Sequence, residues 1–129
     1  MSLLGAFRVS ASGMHAERYR MDVISVNLAN ASTMRMGDTP PYRRKEVALE
    51  AGPDGTVRVR GTIDDMSPFR EQYEPGNPYA VDGIVQYSNV DPIEEMVSMI
   101  SAARAYEANV AAFNMTRAML RSTLEIGAV

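Results

Sequence analysis

The residues able to do chemistry in this chain are few, and their spacing works against it. The single histidine, His15 in GMHAER, could ligate a metal or carry a proton only with a second group nearby, and the chain has no cysteine to supply one. Glu94 and Glu95 form an acidic pair of the kind used in glycoside hydrolysis. Adjacent residues on a helix diverge in direction, however, and the surrounding NVDPIEEM explains both as residues of a helix start. Gly-rich phosphate loops, a nucleophile elbow and a kinase-type lysine are all missing. The basic run Arg43-Arg44-Lys45 follows Tyr42, while Arg104, Arg117 and Arg121 are scattered, without the interleaved aromatics that nucleic-acid binding uses. These residues call for no catalytic group, cofactor or metal, no nucleic acid and no small-molecule substrate.

The 129 residues suffice for one ordinary domain, and 46% hydrophobic with 22% charged residues describes a globular or assembling protein. A net charge of −3 offers no global attraction to nucleic acid or anionic lipid. The first basic residue is Arg8 and no run of 18 apolar residues occurs, so neither a cleavable secretory signal nor a membrane-spanning helix is expected. Ten methionines are rich for this length, and Met packs adaptably both in cores and at partner surfaces.

All seven prolines fall between Pro40 and Pro92, which leaves both ends free to form long helices. The chain divides into an N-terminal helical segment over 1–36, a Pro/Gly-rich middle over 37–90 and a C-terminal helical segment over 91–129. The first helix is expected over about 2–31. For the second, Asp91 can cap, Pro92 suits the first helical position, Glu94 completes a capping box, and Glu95 adds charge favourable to the helix dipole. It runs without Gly or Pro to Ile126, with Gly127 closing it, roughly 50 Å in all. In the middle, Val47 and Leu49 alternate on one strand and Val57 and Val59 on another, turned by Pro53-Asp54-Gly55. A third strand is expected in YAVDGIVQY, and DMSPFREQYEPGNP reads as loop. The fold class is mainly α with a small β insertion: long terminal helices forming a coiled coil, and a middle region containing a β-hairpin.

Steps of three and four pick out a seam in the second helix through Met96, Met99, Ala103, Tyr106, Val110, Phe113, Arg117, Leu120 and Leu124. The first helix repeats the spacing in Leu4, Phe7, Ala11, Met14, Arg18, Met21, Ser25 and Leu28. Both helices are apolar on a second face as well. The second helix carries Ile93, Val97, Ile100, Ala108, Ala111, Ala112, Met115, Ala118 and Met119 there; the first carries Ala16, Tyr19, Val23 and Val26, with Asn27 and Asn30 set among them. A helix apolar on two faces must be buried twice, and other copies or homologous subunits are the economical cover. On that reading the two asparagines fix register at subunit contacts; on the plainer one, Asn30 ends the helix and Asn27 is solvated.

SASGMHAERYRMDVISVNLANAST resembles the N-terminal signature of the bacterial flagellar rod and hook family, and the similarity continues through PYRRKEV, SPFREQYEPGNP and the C-terminal YSNVDPIEEMVSMISAARAYEANVAAFNMTRAMLRSTLEIG. The short middle and the YRRK segment favour a short proximal-rod member over longer rod and hook relatives. The resemblance implies a structural subunit, not an enzyme, that polymerises through its terminal helices in the periplasmic rod and helps transmit torque from motor to hook. It implies as partners copies of itself, the rod proteins FlgB, FlgF and FlgG, the base adaptor FliE, and the flagellar type III export apparatus, which exports without cleaving a signal. Ser12, Gly13, Asp22, Asn27 and Asn30 match the N-terminal signature, and Arg104, Ala105, Tyr106, Glu107 and Asn109 the C-terminal one. Subunit contact is thus expected of Phe7, Met14, Met21, Asn27, Leu28, Asn30, Met96, Met99, Arg104, Tyr106, Asn109, Val110, Phe113, Leu120 and Leu124, and a middle-region contact of Tyr42, Arg43, Arg44 and Lys45. The alternatives are another flagellar axial subunit or a discrete homo-oligomeric coiled-coil binding module.

Overall fold

A computed structural model describes residues 2–128. Met1 and Val129, the outer bounds of the two helical segments, lie outside the described residues. Helix α1 spans Leu3–Ala29 and helix α2 spans Pro92–Gly127, with strands β1 (Lys45–Ala51), β2 (Val57–Asp64), β3 (Arg70–Tyr73) and β4 (Ile84–Tyr87) between them. Both helices begin with a side-chain cap, although the Glu94 carboxylate takes no bond from the Asp91 N–H, so the capping box expected there does not close. The Ser2 hydroxyl accepts from the Gly5 N–H, the Asp91 carboxylate accepts from the Ile93 N–H, and Pro92 occupies the position where a missing N–H costs nothing. Asn30 ends α1, its side-chain amide donating back to the Val26 carbonyl.

The two helices pack antiparallel. Asn27 meets Glu95, a Cβ on Gly13 would lie 2.6 Å from the Asn109 side chain, and the Phe7 and Phe113 rings meet edge-on with centroids 4.9 Å apart. The seam differs in phase from the apolar one read in the sequence. In α2 it runs through Glu95, Ala102, Asn109 and Thr116 at steps of seven, interleaved with Met99, Tyr106, Phe113 and Leu120. Four positions read as seam residues, Met96, Ala103, Val110 and Arg117, stand one residue off it, with Met96 and Arg117 exposed. In α1 the buried positions are Ser10, Ala16, Ile24 and Asn27, while Leu4, Ala11, Arg18 and Ser25 face outward. The cause is chemical: the seam tolerates Asn109 and Thr116 because each is satisfied within its own helix. Asn109 donates to the Ala105 carbonyl and Thr116 to the Ala112 carbonyl, so neither amide nor hydroxyl is stranded.

Strands β1 and β2 pair antiparallel as expected, with a bulge after Ala48 opposite Gly61, whose φ of +135° only glycine accepts readily. Their turn is held by Asp54, which accepts from the Thr56 hydroxyl and N–H. Strands β3 and β4 form a second antiparallel pair. Two expectations fail here. The segment read as loop contributes β3, and Tyr79 and Val81 precede β4 rather than belonging to it, because Asp82 and Gly83 both turn through positive φ. Gly83 is required twice over, since a Cβ there would lie 2.7 Å from the Tyr73 ring.

The β1–β2 pair lies along α1. The Ser12 hydroxyl accepts from the Val57 N–H, Gly55 approaches Val9, and Arg8 stands 3.6 Å from Asp54. The second face of α1 is therefore covered in large part within the chain, leaving Ala16 buried and Tyr19 and Val23 half-buried. On α1 Leu4 and Val26 stay exposed, and the outer face of α2 is open along most of its length. Replacing Gly13 by Ala should favour the isolated helix by about 1 kcal/mol, yet the Asn109 side chain fills the space, and overpacking of this kind costs about 1–3 kcal/mol. Gly13→Ala should lower the melting temperature, and Gly13→Ala with Asn109→Ala should recover part of the loss; equal melting of the single variant and the parent would contradict this helix contact.

Candidate subunit-contact site

The residues expected to meet other subunits fall into two groups with different surroundings. One group is a polar knot where α1 ends, α2 begins and the middle segment crosses between them. Asn27, only 1% exposed, uses its whole amide there: its oxygen accepts from the Tyr42 hydroxyl (2.7 Å) and the Lys45 N–H (3.1 Å), and its nitrogen donates to the Lys45 carbonyl (2.9 Å) and the Glu95 carboxylate (3.2 Å). Glu95 is fully buried. Its charge is met by the Arg44 guanidinium, which also pairs with Glu46 and, at 3.3 Å, with Asp65.

Each neighbour is held in turn by the loop after β2. The Arg44 N–H donates to Asn89, and the Asn89 amide donates to the Asp65 and Ser67 carbonyls. Arg43 donates to the same two carbonyls and lies 4.2 Å over the Phe69 ring. Lys45 pairs with Asp64 across the strands. Titration follows these contacts. Burial pulls the Arg44 guanidinium down, but its bonds to Glu95 and Glu46 outweigh that and hold it above its ordinary value. Backbone donation from Ser67, reinforced by Arg44, holds the Asp65 carboxyl below the usual range, and burial raises the Tyr42 phenol.

Tyr42, Arg43, Arg44 and Lys45 thus make contacts within the chain, as Asn27 does. Asn30 serves its own helix end. Glu95 was missed by the sequence reading, which assigned it to the helix dipole, and Asn89 and Asp65 were not singled out at all. A signal existed: Glu95 shares the seven-residue spacing of Ala102, Asn109 and Thr116, which puts a carboxylate inside the seam and demands a cation from elsewhere.

The second group lies on the helices. Phe7, Met14, Met21, Leu28, Met99, Tyr106, Asn109, Val110, Phe113 and Leu120 are half-buried, whereas Met96, Arg104 and Leu124 are exposed. The outer face of α2 is the largest uncovered apolar surface of the pair. Ile93 is 73% exposed and Val97 62%, and Ile100, Met115 and Met119 are open as well, with the small Ala108, Ala111, Ala112 and Ala118 exposed among them. A stripe of this length on a helix marks an interaction surface. Among the described residues no group of acidic, His or Cys side chains could hold a metal ion, and no helix is long and apolar enough to cross a membrane.

Glu95→Ala should remove the buried partner of Arg44 and of the Asn27 amide, leaving Arg44 with Glu46 and Asp65, and breaking a buried pair by removing one partner costs about 3 kcal/mol. Denaturant unfolding of the full chain should show that loss, against less than about 1 kcal/mol for Glu46→Ala, whose carboxylate is exposed. Equal effects of the two substitutions would contradict the knot's importance.

Comparison with known proteins identifies the arrangement. Residues 7–35 match a family described as flagella basal body rod protein, and residues 81–126 match one described as flagellar basal body rod FlgEFG protein C-terminal. The chain is 42% identical to the flagellar basal-body rod protein FlgC of Bacillus subtilis, over 98% of this chain and 99% of that protein. It is 41% identical to FlgC of Yersinia enterocolitica over the same shares, and 39% identical to FlgC of Salmonella typhimurium. Two long helices closing on each other around a β-containing middle are therefore the form taken here by a structural rod subunit, and the chain belongs to the FlgC family of flagellar basal-body rod proteins.

Proposed function

We propose that this chain is a subunit of the proximal rod that joins its neighbours through the outer face of α2 and passes torque from the motor toward the hook. The observation that carries the reading is the uncovered apolar stripe of α2, through Val97, Ile100, Met115 and Met119, on a helix whose opposite face is already closed by α1. Burial of such a stripe is completed only by another molecule. A transmission shaft needs stiffness without chemistry, and long helices buried on both sides supply it. The neighbours on this reading are copies of the chain and the rod proteins FlgB, FlgF and FlgG, with FliE at the base. Its place is the periplasmic part of the basal body, reached through the flagellar type III export apparatus without a cleaved signal.

Deletion of the gene followed by electron cryotomography of basal bodies tests this. Membrane rings without a rod are expected, with the rod restored by the intact gene and not by one encoding Val97→Asp and Met115→Asp, although that variant chain should keep its helix content. Complete rods in the deletion strain, or full rescue by the doubly charged variant, would overturn the proposal.

A further inference from the structure

We propose that Met115 and Met119 form an oxidation site that controls whether the outer face of α2 can join a neighbour: as thioethers the pair belongs to the apolar stripe, and as sulfoxides it closes that stripe to partners. This rests on the rod reading above and adds how its contact face is regulated. The methionines of this chain sort by their surroundings. Met14, Met21 and Met99 are half-buried on the helix pair, and Met34, also half-buried, accepts at its sulfur from the Asn77 amide at 3.6 Å. Met115 and Met119 are 67% and 58% exposed. They lie one turn apart on α2, so their side chains share a face. The other residues three and four positions from Met115 are Ala111, Ala112 and Ala118, all exposed and too short to shield a sulfur. Beyond Met119, the exposed Ser122 and Thr123 offer little more cover.

Reactivity follows from that exposure. Thioether oxidation tracks access to the sulfur, and with no cysteine in the chain the thioethers are its only sulfur nucleophiles. The oxidant is a hydroperoxide: its O–O bond breaks, one oxygen bonds to sulfur, the sulfur gives up two electrons, and the remainder leaves as water or an alcohol. The product keeps the length of the side chain and replaces a soft apolar atom by a strong dipole. Such a dipole can be buried against an apolar partner only if a donor meets it. The stripe supplies none, since its alanine, valine and isoleucine side chains carry no hydrogen-bonding group and the helix N–H groups are engaged along the helix. On the rod reading the exported chain meets the periplasm, which is kept oxidising, before its outer face is covered. Once covered, the sulfurs are out of reach, so the site responds to oxidant only in subunits not yet joined. A methionine sulfoxide reductase, drawing two electrons from thiols, returns the thioether and reopens the face.

The purified full-length chain is exposed to dilute hydrogen peroxide, digested at intervals and mapped by mass spectrometry. Met115 and Met119 should each gain one oxygen ahead of Met14, Met21, Met34 and Met99, with helix content unchanged by circular dichroism. Methionine sulfoxide reductases with dithiothreitol should remove the added mass. In cells lacking the gene, a copy encoding Met115→Gln and Met119→Gln puts a polar amide of similar length at the site, with a helix propensity close to that of Met. It should leave basal bodies without rods, although the variant chain keeps its helix content. Met36→Gln with Met66→Gln, at exposed positions off the helices, should restore rods. Oxidation of the half-buried sulfurs as fast as of Met115 and Met119 would overturn the inference, as would loss of helix content on their oxidation, or complete rods from the gene encoding Met115→Gln and Met119→Gln. The rod reading survives each of these results; it falls if the strain lacking the gene still builds complete rods.

Discussion

A buried carboxylate organises this molecule. Glu95 sits in the seam between two long helices with no exposure to solvent, a position that disfavours its charge by several kcal/mol unless a cation and donors reach it. Arg44 and Asn27 do so, and reaching it determines their own placement. To bring Arg44 there, the segment after α1 must cross the helix pair. Tyr42 and Lys45 then complete the Asn27 amide, and Asn89 anchors the chain just before it enters α2. One ionised side chain thereby ties α1, the start of β1, the loop after β2 and the first turn of α2 into a single junction.

The two ends of the helix pair differ because of that junction. At the Asn27–Glu95 end, polar bonds that need specific geometry hold the helices and the middle together. Toward Phe7 and Phe113 the contact is apolar and small, and past Leu3 α2 continues alone. Between them Gly13 lets Asn109 lie directly against the α1 backbone, a close approach any larger residue would oppose. The subunit is thus anchored at one end and open at the other, and the openness is apolar. On the proposed reading, a rod built from such parts gains stiffness on assembly, because the outer face of the longest helix is buried only there.

Much of this architecture was legible in the residues. Proline confinement to 40–92 delimits the helices, Asp91-Pro92 marks a helix start, and Pro53-Asp54-Gly55 marks a hairpin turn, each through local backbone chemistry that tertiary structure does not override. The uncovered face of α2 was legible too, from its apolar spacing. The seam was harder. Choosing apolar residues at steps of three and four selected Met96 and Val110 over Glu95 and Asn109, since periodicity cannot tell a polar residue with a partner from one facing water. Strand β3, whose four residues are all exposed, carries no alternation to read. The covering of α1 by the β1–β2 pair depends on the Ser12–Val57 contact between residues far apart in the chain, for which no local pattern speaks.

Hydrogen exchange along the purified, unassembled chain tests most directly the claim that the Glu95 junction anchors the subunit. Amides differ in protection according to the free energy of the opening that exposes them. Protection in the two helices should be highest around Ile24–Asn27 and Met99–Ala102, fall toward Phe7 and Phe113, and be lowest over residues 119–127. Uniform protection along both helices, or a maximum in the last turns of α2, would contradict the account.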